Sequence, residues 1–253
     1  GTEHVSVSHC PAYGGKPMVF LGARTLGTPI WTDTFLSGVT LAEVIRNREI
    51  DAYYVDPRGF GFASSVDEMR ASRIEEVTQR YSIDKLEADI EMALEYVVSN
   101  VGQAVPLVSY SFTTIPAARL MIRRPELFTA GLMIAPHWPH SASRGHPHLA
   151  KEITRLEEMP HFRFPVSDIV TRIKSGNRTG TPLLHPEFAT QFSETLRNCQ
   201  PHTYRASDNS WIAPVGHVID AYRAIYDGHP YFLPEALQTP VMVVCSRDDV
   251  ECP

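Results

Sequence analysis

The sequence predicts an α/β protein built on a mostly parallel, doubly wound sheet carrying one long insertion. Three observations lead there. Short apolar runs bounded by turn residues recur at Pro17–Leu21, Ile50–Asp56, Ala104–Tyr110, Gly131–Pro136 and Pro240–Cys245, each the length of a buried strand. Between the second and third runs lies the clearest helical pattern, Ser82–Val101, so strands and helices alternate as a parallel sheet requires. About 100 residues then separate the fourth run from the fifth, where a crossover needs only about a dozen. The surplus defines an insertion at 137–235 in a core of 1–136 and 236–253.

Composition bounds the function. A hydrophobic content of 43% and a charged content of 21% over 253 residues are those of a globular domain with a full core. A net charge of −6 gives no electrostatic case for nucleic acid or an anionic membrane. No apolar run approaches the roughly 20 residues that span a bilayer. Cys10, Cys199, Cys245 and Cys252 show no paired spacing, which favours a reducing, cytoplasmic setting. Cys245 ends an apolar run and is expected in the core.

In chain order, His4–Ser8 alternates like an edge strand, and Pro17–Leu21 reads as the first buried strand, broken by the turn residues from Gly22. Leu41, Val44 and Ile45 give a short amphipathic helix. After Ile50–Asp56, the stretch Pro57-Arg58-Gly59-Phe60-Gly61 makes a glycine-rich bend without the spacing of a phosphate loop. Along Ser82–Val101, Leu86, Ile90, Leu94, Val97 and Val101 form the apolar face. Glu87, Asp89, Glu91 and Glu95 lie largely around the other side, read as solvated, with Asp84 as the expected cap.

The chain is organised around the next stretch, Ala104 to Leu120. An apolar strand ends at Ser111 and a helical pattern starts at once. Such a turn strains the serine, projects its hydroxyl off the sheet, and aims the N–H groups of the following helix at whatever binds there. Pro116 suits a first helical turn. Ser109 and Thr113 stand two residues either side of Ser111, where small residues relieve the turn; the β-branched Thr113 crowds it.

This pattern resembles the nucleophile elbow of the α/β-hydrolase superfamily, Gly-x-Ser-x-Gly, with Ser109 and Thr113 at the glycine positions. Asp56-Pro57-Arg58-Gly59-Phe60-Gly61 is similar to a structural turn common in that family. The resemblance implies Ser111 as nucleophile. It aligns Leu21-Gly22-Ala23 with the family's His-Gly-x, making the Ala23 and Phe112 amides the oxyanion donors. It also places the triad acid at Asp249, with Asp248 as fallback, in Ser246-Arg247-Asp248-Asp249-Val250-Glu251-Cys252-Pro253. The family's histidine follows the acid, and its final strand and helix follow too; neither occurs within these residues, so a C-terminal strand and helix are expected to be missing. Gly216-His217-Val218 looks locally like the family's histidine turn, but precedes the acid and falls in the insertion, so His217 is the alternative base only.

In the family an insertion at 137–235 is commonly a helical cap. Here it is rich in proline, histidine and aromatics, as an apolar lid would be. His137, His140, His146 and His148 cluster without cysteine partners or helical spacing, so no metal is expected, and no cofactor is implied. The resemblance implies a serine hydrolase or acyl transferase for an ester or thioester of a small, mostly apolar acid. The alternatives are a non-catalytic small-molecule-binding protein on the same scaffold or a subunit completed by a partner chain. The partners considered are a small-molecule acyl substrate and a second copy (a homo-oligomer) or a complementing chain.

Overall fold

The computed structural model describes residues 4–23, 26–32, 40–63, 73–137, 145–159, 161–175, 187–199 and 203–245. Asp248 and Asp249 lie outside the described residues.

The core is a six-stranded sheet of β1 (Ser6–Cys10), β2 (Lys16–Leu21), β3 (Ile50–Asp56), β4 (Val105–Tyr110), β5 (Phe128–Ile134) and β9 (Val241–Val244), in the order β1-β3-β2-β4-β5-β9. The edge strand β1 runs antiparallel to β3; every other pairing is parallel. The apolar runs all form strands. Boundaries shift by a few residues: β1 runs Ser6–Cys10 in place of His4–Ser8, and β5 runs Phe128–Ile134 in place of Gly131–Pro136.

Helices cover both faces. A short helix, α3 (Ile74–Arg80), leads into α4 (Ile83–Val101), and α5 (Thr114–Arg123) follows β4. On one face, α4 and α5 pack Ile90, Leu94, Val97, Leu120 and Met121 against Val19, Leu21, Val105 and Leu107. On the other, Trp31 of α1 (Pro29–Thr32) and Ala42 and Ile45 of α2 (Leu41–Arg46) cover Phe20, Tyr54 and Val108. The face expected on α2 is corrected here. Leu41 and Val44 are exposed, and Ala42 joins Ile45 at i,i+3 because a capping box, Thr40 with Glu43, fixes where the helix starts and how it turns.

Two expectations about α4 also change. Its cap is Ser82, whose hydroxyl accepts from the Lys85 N–H, and not Asp84. Its acidic side is not solvated throughout, for Glu87 and Asp89 are buried. Asp89 accepts from the Arg58 guanidinium at 2.7 and 2.6 Å and from the Arg58 N–H at 2.9 Å, tying the bend after β3 to α4. Glu87 lies 2.7 Å from Arg119 and 2.9 Å from Arg123, both on α5. Carboxylates at this depth are tolerable because each meets a guanidinium.

We propose that 137–235, between β5 and β9, is the insertion; it carries helices, α6 (Pro147–Glu157), α7 (Val166–Ser175) and α8 (Phe188–Cys199), and also a small sheet that the sequence did not announce. That antiparallel sheet consists of β6 (His161–Pro165), β7 (Tyr204–Arg205) and β8 (Ser210–Pro214), ordered β6-β8-β7. Phe164 of β6 stacks on Trp211, its partner in the ladder on β8.

A last helix, α9 (Gly216–Asp227), joins insertion and core. Its Val218, Ile219 and Ala221 share one cluster with Ile83, Phe112 and Ile115 of the core and with Leu156 and Phe162 of the insertion. Gly216 permits the approach, since a Cβ there would meet the Thr78 carbonyl at 2.4 Å. Cys245 departs from expectation: it is exposed together with Met242, Val243 and Val244, because among the described residues only β5 lies beside β9.

Candidate active site

The chain leaves β2 towards β3 on one side of the sheet and leaves β4 towards β5 on the other. Connections that diverge from neighbouring strands open a crevice at the strands' carboxyl ends, which is where open α/β sheets bind ligands. Ser111 on the β4 side and Gly22-Ala23 on the β2 side flank that crevice. The ladder between the two strands includes Phe20 with Val108, so both chains emerge at one level.

Ser111 has φ +56°, a left-handed conformation that costs a non-glycine residue about 1 kcal/mol or more. It directly follows β4 and opens a single 3-10 turn (Ser111–Thr113) that leads into α5. The sharp strand-to-helix turn expected at this serine is therefore present. Ser111 is half-buried, whereas every residue from Phe112 to Ala118 is buried.

Two consecutive threonines hold the turn. The Thr113 hydroxyl donates to the Gly22 carbonyl at 2.6 Å and accepts from the Tyr110 N–H at 3.2 Å. The Thr114 hydroxyl donates to the Ser111 carbonyl at 2.6 Å and accepts from the His137 N–H at 3.1 Å. The elbow is thus bound to the exits of β2 and β5, the two strands flanking β4. Thr113, which the sequence shows only as a crowding residue, has a role because its branch carries a hydroxyl.

Phe112 is buried, and its N–H lies at the start of the turn, where helical N–H groups lack intrahelical acceptors. The Ala23 N–H is differently placed. It donates to the Leu26 carbonyl at 2.7 Å, so an oxyanion would have to displace that carbonyl to use it. Leu26 itself packs against the insertion's cluster of Val166, Phe192, Leu196 and Trp211.

Asp56, fully buried at the end of β3, supports the loop from below. It accepts from the Thr28 N–H at 2.6 Å and the Phe62 N–H at 3.1 Å. Gly27 and Gly61 let it sit there, since a Cβ on either would come within 2.1 Å of its carboxylate. Burial raises its pKa, opposed by the two amide hydrogen bonds.

His217 is fully buried in the first turn of α9, edge-on to Phe112 and to Phe60. The alternative base thus meets the elbow at the Phe112 ring, the neighbour of Ser111. His137 also stands against Phe112, with ring centroids 5.8 Å apart. His146 caps α6, its Nδ1 accepting from the His148 N–H at 3.2 Å; His140 lies outside the described residues. Among the described residues, no group of three or more His, Cys, Asp or Glu side chains could hold a metal, and no helix is long and apolar enough to cross a membrane. An open cleft of about 690 Å³ lies between α3, the start of α4, the end of α6 and α9, lined by Asp84, Glu157, Asp220 and Arg223 among others.

No protein-family model matches the sequence, and no curated protein matches it. Solved structures do. The Mycobacterium tuberculosis protein Rv0554 matches with a TM-score of 0.59 at 15% identity, over 98% of this chain and 77% of its own. Est816, an N-acyl homoserine lactone degrading enzyme, matches at 0.58 and 16% identity, over 98% and 80%. The thioesterase domain from the curacin biosynthetic pathway matches at 0.55 and 16% identity, over 94% and 77%. With this sheet order and this elbow, the chain has the α/β-hydrolase fold.

Proposed function

We propose that this protein is a serine hydrolase or acyl transferase acting on an ester or thioester of a small, mostly apolar acid. The observation that carries the reading is Ser111, held at φ +56° between β4 and α5 on the edge of the sheet's crevice. Backbone strain of this kind at a serine is maintained only where the surroundings enforce it, and here two threonine hydroxyls do so.

In this reading the Ser111 Oγ attacks the substrate carbonyl as a histidine takes its proton, and the carbonyl oxygen becomes an oxyanion held by the Phe112 and Ala23 N–H groups. The tetrahedral species collapses to an acyl-serine, and the leaving alcohol or thiol departs with the proton returned by the histidine. Water, or an acceptor nucleophile, then releases the acyl group by the same steps in reverse. Asp249 orients the histidine, which follows it in the family order; His217 is the alternative base. Several structural neighbours bear hydrolase names, which agrees with this class without selecting a substrate.

One observation favours the rival, a non-catalytic binding protein: the Ala23 N–H is already engaged with Leu26. Steady-state hydrolysis of p-nitrophenyl acetate, butyrate and octanoate decides between them. Turnover that Ser111→Ala removes supports the enzyme. Inertness in every natural length of the chain, with retained binding of a fatty acid, supports the binding protein.

A further inference from the structure

We infer that Thr113 is a positioning residue that fixes the peptide between Gly22 and Ala23, and with it the aim of the Ala23 N–H. The inference rests on the reading of Ser111 as nucleophile and of that peptide as half of the oxyanion site.

The Gly22 carbonyl and the Ala23 N–H are opposite ends of one planar unit, and the described backbone contains no cis peptide bond. In a trans peptide the two groups point in opposite directions, so whatever holds the carbonyl sets the direction of the N–H. The Thr113 hydroxyl holds it, at 2.6 Å. That hydroxyl has one proton, and the Tyr110 carbonyl at 3.0 Å is the longer of its two acceptors. Thr113 is buried, so water does not compete for the bond.

The far side of the peptide is held too. The Ala23 N–H donates to the Leu26 carbonyl at 2.7 Å, the acceptor that an oxyanion would displace. A Cβ on Gly22 would meet that carbonyl at 2.3 Å and Gly27 at 2.9 Å. The two halves of the oxyanion site come from different strands, β2 and β4, and their separation must hold to a fraction of an ångström for both donors to reach one oxygen. A glycine at the position of Thr113 would carry no side chain and could make no such link. Here the hydroxyl reaches from the elbow across to the exit of β2.

The test compares Thr113→Val, which keeps the shape and removes the hydroxyl, with Thr113→Ser, which keeps the hydroxyl; Thr113→Ala replaces the valine variant if that does not fold. Two readouts are taken: kcat and KM for p-nitrophenyl butyrate, and amide hydrogen exchange at Ala23. The valine variant should lose about tenfold or more in kcat with KM little changed, since a displaced oxyanion donor acts in the transition state. Exchange at Ala23 should quicken in the same variant, and serine should recover most of both. Wild-type exchange at Ala23 in the valine variant overturns the inference, as does a serine variant that falls as far as valine. Hydrolysis that survives Ser111→Ala sinks the parent reading instead, and the exchange result then decides alone whether Thr113 fixes the peptide.

Discussion

The His217 ring stands edge-on to Phe112, with ring centroids 4.8 Å apart and planes at 74°, one residue from the strained Ser111. His217 is also edge-on to Phe60, at 5.4 Å, and fully buried. We propose that His217 packs the elbow in place. His217→Ala should therefore lower stability by about 2–4 kcal/mol, as large-to-small core changes do. Ester hydrolysis by the folded fraction should stay within a few-fold of wild type. A loss of about 10³-fold in kcat with an unchanged melting temperature would make His217 the general base.

The bend after β3 depends on Arg58 and Asp89. Their ion pair is bidentate and largely buried, with side-chain exposures of 12% and 2%. Asp89→Ala leaves a buried guanidinium without its carboxylate, and should destabilise the fold by about 3 kcal/mol in chemical denaturation. A change below about 0.5 kcal/mol would show that water replaces the carboxylate at no cost.

Glu91 gives a pH signature. Hydrogen bonds from Arg123, and also from Arg124, hold its carboxyl below the ordinary carboxylate range against the effect of burial. An acid with a lowered pKa stabilises the folded state above its unfolded value, about 4.3, and loses that contribution as the pH falls through the lowered one. Glu91→Gln should melt below wild type at pH 7, and the gap should narrow as the pH falls below about 4. A gap that stays constant from about pH 7 to pH 3 would contradict the assignment.

Much of the core was legible because its signals are local. Strand-length apolar runs, a serine at the end of one of them and Pro116 soon after are all visible within one stretch, and β2, β3, β4 and the turn at Ser111 followed. What was not legible depends on partners remote in sequence. Asp89 reads as a solvated acid until Arg58 comes to it, 31 residues away. The pairing of β6 with β8 joins Phe164 to Trp211 across the insertion, and no local pattern marks it. Thr113 reads as a steric defect because its acceptor, the Gly22 carbonyl, is 91 residues earlier.

The central claim is that Ser111 is a nucleophile. Treating the protein with a fluorophosphonate and locating the adduct by peptide mass spectrometry tests it most directly, because the reagent modifies a serine only where its hydroxyl is activated and an oxyanion is held. One adduct on Ser111, absent from Ser111→Ala, is the expected result. Labelling of a different residue, or labelling that persists in Ser111→Ala, would contradict the claim.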